Sequence, residues 1–293
     1  MTWKRVATAA VLIPFVVGIV LWGSTAIVAL AVGLVTMLAL FEYFALGEAI
    51  GHRAYRFWTA TCALALIYVQ WRTASEHRYY ILGAKLTALN GGKWLPGAVS
   101  PESPEAVFFL FVLGIAALTL ATKRPLVEGL SAAGISASGL ILVAFPLSYA
   151  IRIHGTPQGP LVLLFVLVIV WVSDTVAYFV GRSIGKHPFA PLLSPKKTWE
   201  GAIGGFLGSL AVALMFARWE HISVAYVLGM GAAGNVAGQV GDLLESAFKR
   251  SAGIKDSGSI LPGHGGVLDR IDALILAIPV VWYYWVLIYS PRT

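Results

Sequence analysis

Long apolar runs alternate with short polar segments along most of the chain. A membrane-spanning helix needs about 17–25 mostly apolar residues, and runs of this length lie at 6–22, 25–46, 104–121, 131–151, 160–181, 199–217, 223–241 and 270–289. A shorter run at 57–71 brings the number to nine. Counted in chain order, 57–71 is the third run, 160–181 the sixth, 199–217 the seventh, 223–241 the eighth and 270–289 the ninth. The pattern therefore predicts an all-α, polytopic membrane protein with about nine transmembrane helices.

The basic residues predict the orientation of these helices. If the amino terminus is cytoplasmic and every run crosses once, 14 of the 21 Lys and Arg residues lie on the inner side and 7 on the outer side. This asymmetry follows the positive-inside rule. The first run follows Lys4 and Arg5 and, with the small residues 23–26 after it, resembles a signal peptide. Because a second apolar run begins at once, a tight helical hairpin is favoured instead.

Composition narrows the class of protein. The chain is 58% hydrophobic and only 12% charged, with a mean hydropathy of +0.79, whereas soluble domains carry about 25% charged residues. A water-soluble globule is therefore excluded. The single cysteine, Cys62, excludes a disulfide scaffold. The net charge of +7 is spread over short clusters between apolar runs, which argues against nucleic-acid binding.

No second domain and no fixed repeat is visible along the chain. We therefore expect one integral membrane domain over 1–293, with the catalytic segments in 160–290. The segment 72–103 is predicted to lie outside, with 79–89 along the membrane interface. A stripe of glycines in the eighth run predicts close helix packing through small residues. Its members are Gly231, Gly234, Gly238 and Gly241.

Charged residues concentrate near the carboxyl end. Nine of the chain's 35 Asp, Glu, Lys and Arg residues, including four of its five aspartates, lie between 242 and 272. Polar residues on and just after the eighth run follow steps of 4, 3, 4 and 3, which places them on one helix face. They are Asn235, Gln239, Asp242, Ser246 and Lys249. Such groups at membrane depth should face a cavity, a metal or each other; alternatively, Asn235 and Gln239 only bond neighbouring helices.

Two aspartates open the ninth run. Asp269 and Asp272 are three residues apart, so both should project to one side of the helix with Arg270 turned away. Paired carboxylates favour Mg²⁺ or Mn²⁺, although acids at a helix start also complement the helix dipole. In the preceding turn, 261–266, glycines allow backbone N–H groups to approach an anion. Together these features indicate a cation-bridged phosphate site. The basic residues beside it are Lys255, His264 and Arg270.

A third candidate segment surrounds the end of the sixth run. Asp174 lies about two-thirds of the way through that run, and an acid at such depth is a functional candidate; the alternative is a salt bridge to a helix-end base. The following loop, 182–197, contains four Lys or Arg residues and no acid. It ends in Ser194-Pro195-Lys196-Lys197 where the seventh run starts. A helix amino terminus with two lysines suits phosphates, but cytoplasmic loops are basic in any case.

These features together describe an inner-face site with oxygen ligands for a metal and basic residues for phosphates. No arrangement typical of a covalent nucleophile is visible. Phosphoryl or nucleotidyl transfer fits, because that chemistry depends on positioning and charge neutralisation. The alternative from another class is a transporter, or a scaffolding membrane protein whose charged loop binds a partner. A transporter would scatter charges over helix centres and show broken helices in repeated halves, and neither is clear here.

One stretch of the chain closely resembles a known family signature. Residues 246–250 read Ser-Ala-Phe-Lys-Arg, 255–256 read Lys-Asp, and 261–272 read Leu-Pro-Gly-His-Gly-Gly-Val-Leu-Asp-Arg-Ile-Asp. This pattern resembles the 27-residue signature of the phosphatidate cytidylyltransferase (CDP-diacylglycerol synthase) family. Segments 194–201 and 173–175 resemble other recurrent segments of that family. Val176, where many members have glycine, departs from it.

The resemblance implies a reaction in which the phosphate of phosphatidic acid attacks the α-phosphorus of CTP, giving CDP-diacylglycerol and pyrophosphate. It implies a dimeric, Mg²⁺-dependent enzyme, with K⁺ as a second cation, in the cell inner membrane with its active site on the cytoplasmic face. An alternative is a related lipid-phosphate nucleotidyltransferase or a polyprenol kinase.

The resemblance and the polar stripe together assign the site residues. The metal ligands are Asp242 and Asp269, followed by Asp174, Glu245 and Asp256. The catalytic residues are Asp242, Asp269, Lys249, Arg250, Asp272 and His264. The substrate-binding residues are Ser194, Lys196, Lys197, Asn235, Gln239, Lys255 and Arg270.

Overall fold

The computed structural model describes residues 2–89, 103–121, 125–260 and 265–286. Its helices are α1 (Thr2–Trp22), α2 (Thr25–Ala49), α3 (Arg56–Leu89), α4 (Pro104–Ala121), α5 (Leu126–Gly139), α6 (Phe145–Gly155), α7 (Gly159–Ile184), α8 (Trp199–Trp219), α9 (Val224–Ser251) and α10 (Leu268–Tyr284). A π-helical turn (Leu140–Ala144) joins α5 to α6. Between α7 and α8, β1 (Pro188–Ala190) pairs with β2 (Ser194–Thr198) in an antiparallel hairpin that was not predicted.

Several of these helices are long and apolar enough to cross a membrane. In the described part of the chain these segments are Thr25–Ala49, Pro104–Ala121, Val127–Gly155, Gly159–Ile184 and Trp199–Trp219. The segment Val127–Gly155 combines α5, the π-helical turn and α6. Within α1, Ala10–Trp22 is a shorter apolar helix. They confirm the prediction of an all-α, multi-pass membrane protein. The number of nine crossings and the cytoplasmic amino terminus stay predictions.

Helix α3 is longer than its apolar run indicates. The stretch 79–89, which is predicted to lie along the membrane interface, belongs to α3, which continues without a break from Arg56 to Leu89. The physical reason is that residues 72–89 contain no proline and a single glycine, so no helix-breaking pattern interrupts α3 up to Leu89. The rest of the predicted outer segment, 90–102, lies outside the described residues.

The chain divides into two compact units, Val11–Pro160 and Met1–Ala10 with Leu161–Thr293. In the first unit, α3 packs against α6 and α2. Gln70 of α3 is buried there, and its Nε2 donates to Ser148 Oγ at 3.0 Å while its Oε1 accepts from Arg152. Gln70, Ser148 and Arg152 therefore satisfy one another between α3 and α6. The predicted organisation as one domain over 1–293 stays a prediction.

In the second unit, glycines bring the helices together. A Cβ added at Gly231 of α9 would lie 2.8 Å from Ala213 Cβ of α8, and one at Gly241 would lie 2.6 Å from the Asp272 carbonyl oxygen of α10. On α8, a Cβ at Gly205 would lie 2.8 Å from the Ser173 carbonyl oxygen of α7. Neighbouring helices thus approach where only glycine fits, which confirms the packing role predicted for the glycine stripe.

The close approach of α9 and α10 can be tested by two matched substitutions. We expect Gly241→Ala to lower the thermal unfolding midpoint of the purified protein, because overpacking costs about 1–3 kcal/mol. Gly134→Ala is the control, since a Cβ at Gly134 in α5 would have no neighbour within 4 Å; it should leave the midpoint unchanged or raise it. An unchanged midpoint in Gly241→Ala would contradict the observed helix contact.

Candidate active site

A cavity of ≈510 Å³ lies among α7, the β1–β2 hairpin, α8 and α9. We call it the basic cavity, because its lining includes Arg182, Lys196 and Lys197. The complete lining consists of Ser173, Asp174, Ala177, Tyr178, Gly181, Arg182, Phe189, Lys196, Lys197, Thr198, Gly201, Ala202, Gln239 and Asp242. Its volume is within the range of about 300–1,000 Å³ that is common for small-molecule sites.

The start of α8 positions the two lysines. Thr198 is the N-cap residue, and its side chain accepts a hydrogen bond from the N–H of Gly201 at 3.1 Å. A Cβ at Gly201 would lie 2.8 Å from the Ala177 carbonyl oxygen, so the first turn of α8 lies directly against α7. Lys196 and Lys197 immediately precede this turn, and the cap therefore holds them beside the end of α7.

The hairpin is closed at its base by side-chain contacts. His187 Nδ1 lies 2.6 Å from Glu200 Oε1, and the N–H of Trp199 donates to the His187 carbonyl oxygen at 2.9 Å. The Phe189 and Trp199 rings meet edge to face with centroids 4.5 Å apart. These contacts join both ends of the hairpin to the first turn of α8.

Asp242 and Asp174 form the acidic part of the basic cavity. The Asp242 carboxylate is ion-paired with Lys197, and both side chains are about 30% exposed. Asp174 of α7 is within electrostatic range of Asp242, Lys197 and Arg270. Asp272 of α10 is within electrostatic range of Asp242 and Asp174. The fold therefore gathers carboxylates from α7, α9 and α10 and places lysine and arginine charges among them.

Lys249 is the centre of a second charged group. Its Nζ lies 2.5 Å from Glu245 Oε2 and 2.6 Å from Asp269 Oδ1, and the three side chains are only 11%, 3% and 7% exposed. We call Glu245, Lys249 and Asp269 the lysine triad. Because Glu245 and Lys249 belong to α9 and Asp269 to α10, the lysine triad connects the two helices.

The lysine triad lies beyond the apolar run 223–241, and its members titrate unusually. Burial raises the pKa of Glu245 to about 7, although Lys249 opposes this effect. For Asp269, burial raises the pKa, but hydrogen bonds from Lys249 and Gly266 outweigh it and hold the pKa below its ordinary value. For Lys249, burial lowers the pKa, but hydrogen bonds to Asp269 and Glu245 outweigh it and raise the pKa. The lysine and Asp269 are therefore held in their charged forms.

Two backbone N–H groups, from Gly266 and Ser257, bind the carboxylate of Asp269. The N–H of Gly266 donates to Asp269 Oδ2 at 2.9 Å, and the N–H of Ser257 donates to the same atom at 3.0 Å. Gly265 has a φ of +81°, a conformation that favours glycine. Gly266 and Ser257 thus orient Asp269. Residues 261–264, including the predicted site residue His264, lie outside the described residues.

The polar stripe on α9 divides into two parts. Asn235, which is 2% exposed, donates to Ser173 Oγ of α7 at 2.7 Å and to Ser209 Oγ of α8 at 2.8 Å. These two hydrogen bonds match the alternative interpretation of the sequence, in which Asn235 bonds neighbouring helices. Gln239 donates to Asn235 Oδ1 at 2.8 Å and to the Ala202 carbonyl oxygen at 3.1 Å, but it also lines the basic cavity.

Other predicted residues lie around this centre. The Arg250 guanidinium donates to the Leu193 carbonyl oxygen in the hairpin at 3.1 Å and to the Ile254 carbonyl oxygen at 3.0 Å, so it ties the hairpin to the end of α9. Ser194 begins β2 and is not among the residues lining the cavity. Six of the predicted site residues in the described segments are exposed. They are Asp174, Lys196, Arg250, Lys255, Asp256 and Arg270. That Arg270 is turned away from Asp269 and Asp272 stays a prediction.

Sequence reasoning missed Tyr178 and Arg182, which line the basic cavity. Arg182 Nη1 donates to Tyr178 Oη at 3.0 Å. Both follow Asp174 at intervals of four residues, which places all three on one face of α7. Applying the helical spacing used on α9 to α7 would have identified them. Phe189 was missed as well, since nothing in the basic loop predicted the hairpin.

The donor chemistry suits a hard divalent cation. Glu245 Oε1 is buried without a hydrogen-bond partner, and carboxylate oxygens are the ligands that Mg²⁺ prefers. Asp242 and Asp269 each already attract a cation, namely Lys197 and Lys249. As they stand, no three His, Cys, Asp or Glu side chains in the described segments form a group that could hold a metal ion. A metal ion would therefore bind these carboxylates either alongside their lysine partners or in place of them.

Comparison with known proteins gives a match over almost the whole chain. The family model described as "Cytidylyltransferase family" matches residues 3–288. Proteins named "Phosphatidate cytidylyltransferase" are similar to this chain. The one from Haemophilus influenzae is 41% identical over 138 residues, or 45% of this chain and 48% of that protein. Those from Staphylococcus epidermidis and Staphylococcus aureus are each 45% identical, over 42% and 47% of this chain and 48% and 53% of their own lengths. The chain spans about half the length of these curated relatives.

The lysine triad yields a stability prediction. We expect Lys249→Met to lower the thermal unfolding midpoint strongly, because removing one partner of a buried ion pair costs about 3–5 kcal/mol. Lys255→Met is the control, since Lys255 is exposed, and it should leave the midpoint unchanged.

A second substitution separates lost charge pairing from lost packing. Adding Glu245→Gln to Lys249→Met removes one unpaired carboxylate while keeping its shape, so part of the lost stability should return. If the double variant is no more stable than Lys249→Met, the charge explanation is wrong.

Proposed function

Because the chain belongs to the cytidylyltransferase family, we propose that it transfers a cytidylyl group from CTP to phosphatidic acid in phospholipid biosynthesis. The products are CDP-diacylglycerol and pyrophosphate. One observation carries the proposal: Lys196, Lys197 and Arg182 line a cavity that also contains Asp242 and Asp174, so groups that bind phosphates and groups that bind cations meet in one place. The names of the relatives support the choice of substrates.

The reaction is a substitution at phosphorus. A phosphate oxygen of phosphatidic acid forms a bond to the α-phosphorus of CTP, the bond from that phosphorus to the bridging oxygen of the β-phosphate breaks, and pyrophosphate leaves with the electron pair. Such chemistry is accelerated mainly by positioning and by neutralising charge. The lysines at the start of α8 bind the triphosphate, and Arg182 contributes a further positive charge at the cavity wall.

The carboxylates are proposed to hold Mg²⁺. Asp242 and Asp269 would be the principal ligands, with Asp174, Glu245 and Asp272 near them, and K⁺ would be the second cation. When bound there, Mg²⁺ would neutralise phosphate charge and polarise the phosphoryl oxygens. The Gly266 and Ser257 N–H groups hold the Asp269 carboxylate in its orientation, and the cap at Thr198 keeps Lys197 beside Asp242.

The proposal includes location and assembly. The basic-residue asymmetry supports a site on the cytoplasmic face of the inner membrane, where CTP is available. The family resemblance supports a homodimer. The membrane itself supplies phosphatidic acid, so the lipid substrate reaches the site from the bilayer and the nucleotide from the aqueous side.

Activity and orientation can be tested together. Purified protein with CTP, Mg²⁺ and phosphatidic acid should release pyrophosphate and form a cytidine-linked lipid, which lipid extraction and mass spectrometry detect. Chelation of divalent cations should stop the reaction. Inverted membrane vesicles should use added CTP and sealed right-side-out vesicles should not. Pyrophosphate release without a nucleotide-linked lipid, or phosphorylation of a polyprenol, would replace this function with another.

The two principal aspartates should act as one unit. We expect Asp242→Asn and Asp269→Asn each to reduce turnover more than tenfold, which corresponds to about 1.4 kcal/mol of transition-state stabilisation. The double variant should lose little more than either single variant, because groups that bind one metal are not additive. Steady-state rates are the measurement. An Asp242→Asn protein with more than a tenth of the wild-type rate would remove Asp242 from the metal site.

Lys197, which lines the basic cavity, should affect the binding of CTP. We expect Lys197→Met to raise the KM for CTP at least tenfold, since a charged hydrogen bond contributes about 1.5–3 kcal/mol. Lys186→Met removes a lysine of the same loop that is exposed and is not part of the cavity lining, so its KM should be that of the wild type. Equal KM values in the two variants would exclude the basic cavity as the nucleotide site.

A further inference from the structure

A second cavity, of ≈610 Å³, lies in the Val11–Pro160 unit. We call it the arginine pocket, because Arg53 and Arg56 are in its lining together with Glu48, Trp58 and Ala117. None of the residues to which the proposed function assigns a role lines it. Two arginines against one glutamate give the lining a net positive charge, so a negatively charged ligand is favoured.

The arginine pocket lies where several helices end. Helix α2 ends at Ala49 and α3 begins at Arg56, and the pocket is lined on its other side by Gly114, Ala117 and Leu118, near the carboxyl end of α4. Because α2 and α4 are both long and apolar enough to span a membrane, this position corresponds to the boundary between hydrocarbon and headgroups. A guanidinium at that boundary can reach a lipid phosphate.

Arg56 presents a donor that the protein does not use. Its Nη2 lies 2.7 Å from Glu48 Oε2, but its Nε is buried without a hydrogen-bond partner. A buried donor without an acceptor costs about 1–3 kcal/mol. The Arg56 side chain as a whole is 36% exposed, so the outer N–H groups of the guanidinium are open to a phosphate oxygen, and arginine is the residue best suited to bind phosphate through more than one N–H group.

The apolar wall of the arginine pocket is closely packed. A Cβ at Gly114 would lie 2.1 Å from the Trp58 ring, so the indole packs directly against the α4 backbone, and its Nε1 donates to the Phe111 carbonyl oxygen at 3.2 Å. Beside it, Phe57 is 87% exposed. Tryptophan and other aromatic residues are typical of the membrane interface. A fully hydrated ion would gain nothing from such a wall, whereas a lipid would.

We propose that the arginine pocket binds an anionic phospholipid. The lipid phosphate lies against Arg56, with Arg53 as a second positive charge, and the acyl chains follow the exposed apolar side chains of α4, which include Phe109, Leu113 and Leu120. The volume of the pocket accommodates a phosphate with its glycerol. This binding site is independent of the proposed reaction.

Native mass spectrometry of the purified full chain with phosphatidylglycerol tests the proposal. This lipid carries a phosphodiester, so it is not the acceptor in the proposed reaction. We expect Arg56→Gln to raise the apparent Kd of the first bound lipid about tenfold, as expected for loss of one charged hydrogen bond. Ala117→Phe leaves both arginines in place but fills the cavity, and it should raise the Kd as well.

Arg218→Gln is the matched control. Arg218 is an exposed arginine in the last turn of α8 and lines neither cavity, so its removal should leave the Kd unchanged. Wild-type affinity in both Arg56→Gln and Ala117→Phe would overturn the proposal. So would displacement of the lipid by inorganic phosphate, which would make the pocket a site for free anions. Neither outcome depends on whether the chain uses CTP.

Discussion

The ammonium group of Lys249 connects the charged ends of α9 and α10. It lies between a carboxylate on its own helix, Glu245, and one on α10, Asp269. Since the three side chains are almost fully buried, each charge would be very costly without the others. The pairing therefore fixes how α9 and α10 are aligned, and the close contact of Gly241 with the α10 backbone allows the side chains to meet. The orientation of Asp269, and with it the metal site we propose, depends on this alignment.

A similar arrangement positions the other half of the site. Asp242 pairs with Lys197, which comes from the hairpin rather than from a helix. The hairpin is held at its base by His187 and Glu200 and at its turn by Arg250. Arg250 thus has a structural contact in addition to any role with phosphates. A site in which lysines are paired with carboxylates is suited to a substrate that brings both phosphates and a bound cation. The lysines can then pair with the phosphates, and the carboxylates can pair with the cation.

The helices and their packing faces could be predicted from sequence with good accuracy, and the site only in part. Asp242, Lys197 and Gln239 were identified and do line one cavity, while Tyr178 and Arg182 were overlooked although their spacing from Asp174 indicated them. Asn235 was assigned to substrate, but it bonds α7 and α8. Its helix face was predicted correctly; whether that face meets a cavity or two serine hydroxyls depends on where the neighbouring helices lie.

The apolar runs alone determine that this is a helical membrane protein, because burial of about 20 apolar residues in a bilayer is a property of each segment by itself. The glycine stripe likewise determines which face of α9 packs closely. Which charge meets which was decided only by the tertiary structure. Lys197 and Asp242 are 45 residues apart, and Lys249 and Asp269 are 20 apart. Ion pairing depends on distances of a few ångströms, and those distances follow from how the helices pack rather than from any local pattern.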